Sequence, residues 1–188
     1  MLDVPWHPGY LDALRRGPHC CCMTTTPLIS RDDRSVPITV QQRCSLPPGD
    51  AFRITVPIDL ASVFPRAPGL PALTGVAHQT GPWDHAGASR YPQFSDGSQA
   101  FEQLTEYTTG HSFAYQLTEF TNALRRLASA VRGEWTFTPD GEGTMIRWTY
   151  EFKPLRGRRW IVAGPFTPLW RGFMRRTLAN IVAAVERA

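Results

Sequence analysis

The chain has 188 residues, of which 42% are hydrophobic and 19% charged. That composition excludes a disordered, collagenous, coiled-coil or disulfide-scaffold protein, and the length is enough to bury a core without metal or disulfide staples. The net charge of +4 is too weak to argue for nucleic acid, and no apolar run approaches the roughly 20 residues of a membrane-crossing helix.

The basic residues are nineteen arginines and one lysine, Lys153. Such a skew reads as the record of a GC-rich genome before it reads as an arginine-specific function. Cys20, Cys21 and Cys22 are adjacent and Cys44 stands apart, so neither a C-x-x-C spacing nor a paired framework exists. Three consecutive residues cannot easily turn toward one tetrahedral centre, even with His19 beside them. Reduced thiols, no metal, no cofactor and a cytoplasmic setting are the expectation. Met1-Leu-Asp-Val-Pro-Trp lacks the cationic start and apolar run of a signal peptide. Met23 is a plausible alternative start. Residues 1–34 keep no period and are expected to form an irregular tail, with a single domain over 35–188.

Regular structure is predicted from Val36. Val36, Ile38 and Val40 alternate with polar neighbours, and Cys44 and Leu46 keep the parity of a strand. Asp50 is a fair N-cap for a short helix, Ala51–Val56, stopped by Pro57. Asp59 can cap a second short helix, Leu60–Phe64, stopped by Pro65. Strands then follow at Leu73–Thr80, Ala88–Phe94, Gln99–Thr108, Ser112–Phe120, Val131–Thr138 and Thr144–Phe152. Turns such as Ser95-Asp-Gly-Ser and Pro139-Asp-Gly-Glu-Gly separate them, so neighbours should be antiparallel. The final segment changes period. Phe166, Leu169, Trp170, Phe173, Thr177, Leu178, Ile181 and Val185 recur at three and four, the stripe of a long amphipathic helix. Pro165 and Pro168 suit its first turns.

Parity selects the face this helix must cover. Phe101, Gln103, Thr105 and Tyr107 share one face of their strand, opposite Glu102 and Glu106, which read as solvated. Phe113, Tyr115 and Leu117 align on the next strand. Val131, Gly133, Trp135 and Phe137 follow, then Ile146, Trp148, Tyr150 and Phe152. One face of the sheet is therefore broad and aromatic and the other polar.

The order of strand, two short helices, about six antiparallel strands and a long C-terminal helix resembles the START-like SRPBCC superfamily. Its polyketide cyclase/dehydrase-type proteins are the particular likeness. Three stretches carry it: Ile38–Phe64, with its proline-split helix pair; His111–Leu127, with Phe-Ala-Tyr-Gln-Leu on a strand before a loop; and Gly133–Phe152, with a Pro-Asp-Gly turn in the closing hairpin. The resemblance implies an α+β helix-grip fold. A curved antiparallel sheet of six to seven strands would wrap around the C-terminal helix, with two short helices after the first strand. It also implies a cavity between sheet and helix that takes an apolar or amphipathic small molecule.

On that reading the expected ligand-binding residues are Phe101, Gln103, Tyr107, Phe113, Tyr115, Trp135, Trp148, Tyr150, Phe173 and Asn180. The aromatics are wall or plain core, since burying one stabilises by roughly 1.5–3 kcal/mol either way. Gln103, Thr105 and Asn180 are inward amides or hydroxyls that need a partner, whether local backbone or a ligand. No H-E-x-x-H, G-x-S-x-G, G-x-G-x-x-G or P-loop pattern appears. His78 and the neighbours Asp84 and His85 read as surface groups. Lys153, Arg156, Arg158, Arg159, Arg171, Arg175 and Arg176 run without an acidic residue, interleaved with Trp160, Phe166, Trp170 and Phe173. That run is a solvated helix face or a weak docking site for an anionic membrane surface.

The expected function is binding of a hydrophobic or aromatic molecule, lipid, isoprenoid or polyketide-like, for carriage or sensing. The alternatives are an aromatase/cyclase-like enzyme and a peripheral lipid-handling protein. No nucleic-acid partner is expected, and the expected state is a monomer or homodimer.

Overall fold

The computed structural model describes residues 28–30, 33–64, 67 and 69–188. The cysteine triplet, His7, His19 and nearly all of the expected tail lie outside the described residues, as does Pro65. Strand β1 (Val36–Cys44) alternates as its sequence does, burying Val36, Ile38, Val40 and Cys44. The Cys44 sulfur is a free thiol, and burial pushes its pKa up.

Helix α1 (Pro48–Thr55) starts earlier than expected, with Pro47 at the cap position and a proline opening the first turn. Proline suits that place because its fixed φ is already helical and its missing N–H would be unpaired there. Asp50 therefore lies inside the first turn and pairs with Arg53 at 3.1 Å instead of capping. Helix α2 (Leu60–Val63) does use Asp59, whose carboxylate accepts from the Ala61 N–H at 3.1 Å.

Six further strands follow: β2 (Leu73–Ala77), β3 (Ser89–Phe94), β4 (Phe101–Thr108), β5 (Ser112–Thr118), β6 (Ala128–Asp140) and β7 (Gly143–Pro154). All pair antiparallel, in the order β1-β7-β6-β5-β4-β3-β2. Short links join β3 to β4, β4 to β5 and β6 to β7, the first turning at Gly97, whose φ of 76° suits a residue without a side chain. The α1–α2 pair carries the chain from the β1 edge of the sheet to the β2 edge. Asn122 caps a short 3-10 turn, Ala123–Arg126, between β5 and β6.

The C-terminal helical segment is bent. A three-residue helix, α3 (Arg159–Ile161), leads through Val162–Phe166 into α4 (Thr167–Val185). Gly164 breaks the helix with φ −94° and ψ −109°, just before Pro165. Proline displaces the helical conformation of the residue before it, and glycine pays no side-chain penalty for leaving it. The buried stripe of α4 is Phe173, Met174, Thr177, Leu178, Ile181, Val182 and Val185. It packs mainly on β1, α1 and α2.

The face assignment holds for β5, β6 and β7 and fails for β4. The register slips between Leu104 and Glu106: Leu104 opposes Tyr115, while Glu106 already opposes Ala114. Thr105 is the extra residue of a bulge and donates its hydroxyl to the Ala114 carbonyl at 3.1 Å. A bulge inverts parity across itself. Tyr107 is inward, but before the bulge the inward residues are Glu102 and Leu104. Phe101 and Gln103 lie on the opposite face, where Gln103 accepts from Gln116 and Phe101 packs on Tyr91.

Two substitutions test this account by chemical denaturation. Leu178→Ala, at a 1% exposed position on α4, should lower the unfolding free energy by about 2–5 kcal/mol. Asp50→Ala should lower it by less than about 0.5 kcal/mol, because the carboxylate is in an exposed pair and caps nothing.

Candidate functional site

The inner face of the sheet is wider than α4 can cover. Over the β3–β6 side lies a cavity of about 420 Å³, closed above by the start of α4 and by the α1–α2 segment. Its aromatic wall is built from Phe113 and Tyr115 on β5, Trp135 on β6, Tyr150 on β7, and Trp170 and Phe173 on α4. Phe113 stacks on Trp135 at 5.9 Å, with ring planes 10° apart. Its rim is formed by Leu70, Asp96, Asn122 and the exposed Leu169.

Gly133 fixes the posture of Tyr115, its direct cross-strand partner. A Cβ on Gly133 would fall 2.2 Å from the Tyr115 ring, so only glycine lets the ring lie across β6. Trp148 stands one layer deeper. It stacks on Trp135 at 4.7 Å and donates its Nε1–H to the Tyr115 hydroxyl at 3.3 Å. Burial, then the nearby Glu102 charge, push the Tyr115 pKa up to about 12. Burial likewise pushes Tyr150 well above the ordinary phenol value. Both hydroxyls stay protonated near neutral pH, so each keeps an O–H.

The five expected residues that line the cavity are Phe113, Tyr115, Trp135, Tyr150 and Phe173. The others are placed elsewhere. Phe101 and Gln103 are turned away by the β4 bulge. Trp148 supports the wall from behind. Tyr107 packs edge-on against Phe52 at 5.4 Å and borders a second, more open recess of about 660 Å³ beside α1. Asn180 is exposed on α4 and donates its amide to the Val63 carbonyl at 2.9 Å. That carbonyl ends α2 and has no partner within its own helix, which is why the amide is held there and not in the cavity.

What the parity reading missed is a charged pair inside. Arg90 on β3 and Glu102 on β4 are direct cross-strand partners, and both line the cavity. The Arg90 Nε–H donates to the Glu102 carboxylate, with side chains 10% and 5% exposed. Trp83, from the turn before β3, lies over the guanidinium with its ring centre 3.9 Å from Cζ. This arrangement holds the cation by a carboxylate on one side and a π face on another. A sequence signal existed: Ala88, Arg90 and Pro92 share a parity, as do Ala100, Glu102 and Leu104, and all are buried. A charge flanked two residues away by apolar residues on both sides belongs to the apolar face.

Two more polar groups meet the cavity. The Thr55 hydroxyl and the Trp170 Nε1–H are buried without a partner among the described residues, and both residues line the cavity. At the rim, hydrogen bonds from Ser98 hold the Asp96 carboxyl below its usual range. His78 is exposed, edge-on to Tyr91, and His85 hydrogen-bonds Asp84 at 2.7 Å on the surface. Among the described residues no group of His, Cys, Asp and Glu could hold a metal ion.

The family described as polyketide cyclase / dehydrase and lipid transport matches residues 36–186. Among solved structures, Ara h 8.0201 superposes with a TM-score of 0.62 at 14% identity, over 82% of this chain and 99% of that one. Truncated norcoclaurine synthase from Thalictrum flavum gives 0.62 at 16% identity, over 84% of this chain and 98% of that one. The ginseng major latex-like protein 151 from Panax ginseng gives 0.60 at 16% identity, over 80% and 97%. No curated protein sequence matches the chain significantly. The superpositions show a shared fold. With the sheet, the long helix and the family match over 36–186, the chain belongs to the polyketide cyclase/dehydrase and lipid transport family, within the START-like SRPBCC superfamily.

Proposed function

We propose that the protein binds a hydrophobic or aromatic small molecule, lipid, isoprenoid or polyketide-like, in the cavity between sheet and α4, for carriage or sensing. The observation that carries this reading is an aromatic-walled cavity of about 420 Å³ that also holds a buried, unpartnered Trp170 Nε1–H. Small-molecule sites are mostly apolar, span roughly 300–1,000 Å³ and keep a few convergent polar groups. A buried donor without a partner costs about 1–3 kcal/mol, which a ligand acceptor would relieve.

Carriage is favoured over aromatase/cyclase chemistry by the state of the inward polar groups. Cyclisation needs an acid or base that exchanges a proton near working pH. Tyr115, with its pKa near 12, keeps its proton there, and Glu102 is committed to Arg90. These groups orient a ligand better than they move protons.

One surface observation favours delivery at a membrane. Trp160 is 70% exposed, beside Leu155 and the exposed Arg156, Arg158 and Arg159, just before the segment that roofs the cavity. Lys153 belongs to this group only in sequence, because it is paired with Asp33 at 2.9 Å. An exposed tryptophan among arginines fits an anionic lipid surface, with each charge contributing about 1 kcal/mol there.

Native mass spectrometry of protein purified from its own host should show a stoichiometric apolar ligand. Absence of one, with no thermal shift across a lipid and polyketide panel, would overturn the binding reading. Trp135→Ala should weaken ligand binding at least about tenfold, whereas Asn180→Leu should leave it within about twofold by fluorescence titration. Vesicle co-sedimentation should rise with anionic lipid content, fall with added salt, and fall further in Trp160→Ala. Binding indifferent to all three would remove the membrane reading.

A further inference from the structure

We infer that Glu102 acts as a resident counter-ion that makes the cavity discriminate against carboxylate ligands and take neutral, hydrogen-bonding ones: alcohols, ketones, phenols or esters. This rests on the reading that the cavity binds a hydrophobic molecule. A lone buried arginine in an apolar pocket would be an anchor for an acid. Here that place is taken. Arg90 and Glu102 sit directly opposite on β3 and β4, with relative exposures of 8% and 4%. The Trp83 ring covers the guanidinium from another side, 3.9 Å from Cζ. Each ion is expensive to bury alone, and together they form a neutral unit.

Among the described residues the charged ones lining the cavity are Arg90, Glu102 and Asp96, one cation against two carboxylates. Asp96 stands at the exposed rim, so an entering anion passes a negative charge before it reaches Arg90. At Arg90 it would lie beside the Glu102 carboxylate and leave an excess negative charge in an apolar interior. Like charges a few ångströms apart in such surroundings repel strongly.

A neutral ligand meets the opposite situation. The one side-chain hydrogen bond of Arg90 among the described residues runs through Nε, which leaves its terminal NH2 groups to donate to a carbonyl or hydroxyl oxygen. Glu102 has a second carboxylate oxygen to accept from a ligand hydroxyl. Thr55 and the Trp170 Nε1–H add further neutral partners in the same cavity.

The test uses matched ligands that share a hydrocarbon body. Displacement of the uncharged probe N-phenyl-1-naphthylamine is measured with 1-dodecanol, methyl dodecanoate and dodecanoate, and with 2-naphthol and 2-naphthoate, in wild type and Glu102→Gln. The wild type should prefer each neutral member at least about tenfold. Glu102→Gln should raise carboxylate affinity at least about tenfold, so that the ratio of each neutral member to its carboxylate shrinks by at least that factor. An unchanged ratio in Glu102→Gln overturns the inference while probe binding keeps the cavity reading. Failure of the probe itself to bind overturns both. If Glu102→Gln does not fold by itself, it should refold with dodecanoate and not with dodecanol, since the ligand then replaces the missing counter-ion. Equal rescue by both, or by neither, overturns the inference.

Discussion

An antiparallel sheet of this size has one apolar concave face that must leave water, and among the described residues a single long helix is available to cover it. That mismatch organises the molecule. The stripe of α4 is committed to β1, α1 and α2 at one side of the sheet. Among the described residues nothing of comparable length lies over β3–β6. The aromatics there are closed in by the bend at Gly164 and Pro165, by α1–α2 and by the loops around Asp96 and Asn122. Burial of the wall is thus achieved without filling the space in front of it, and that space is the candidate site.

The wall is rigid because its members hold one another. Trp148 stacks on Trp135 and hydrogen-bonds Tyr115, and Tyr115 lies flat because Gly133 has no side chain. Trp170 touches Tyr150, Phe152, Phe166 and Phe173 through ring contacts of 5.3–5.5 Å. Close packing of this kind raises the cost of collapse into the cavity, because every ring would have to leave a rotamer that its neighbours support. Polar atoms are then placed on a stiff frame. The Tyr115 hydroxyl accepts from Trp148, and Arg90 donates to Glu102, in a setting that is otherwise hydrocarbon.

The limits of parity are concentrated in β4. Alternation from Gln99 to Thr108 reads as one uninterrupted strand, and Phe101, Gln103 and Tyr107 then share a face. The slip at Thr105 puts Tyr107 on the inner face and Phe101 and Gln103 on the outer one, and it brings Glu102 inside. A bulge leaves no mark in hydrophobic periodicity when the residues on both faces are mixed, as they are here. Asn180 is placed away from the cavity for a different reason. It stands exposed beside the buried stripe, where the open carbonyl at the end of α2 lies within reach.

The sequence by itself determined the order of elements, the strand parity of β5, β6 and β7, the amphipathic C-terminal helix and the aromatic richness of one face. These follow from local rules: period, turn chemistry and proline placement act within a few residues. Only the tertiary structure decided which inward residues meet empty space and which meet each other. It put Trp148 behind Trp135, turned Phe101 outward, and set Arg90 from one strand against Glu102 from the next under a tryptophan from a turn. A pairing of charges across strands depends on register, and register is settled by the packing of the whole sheet.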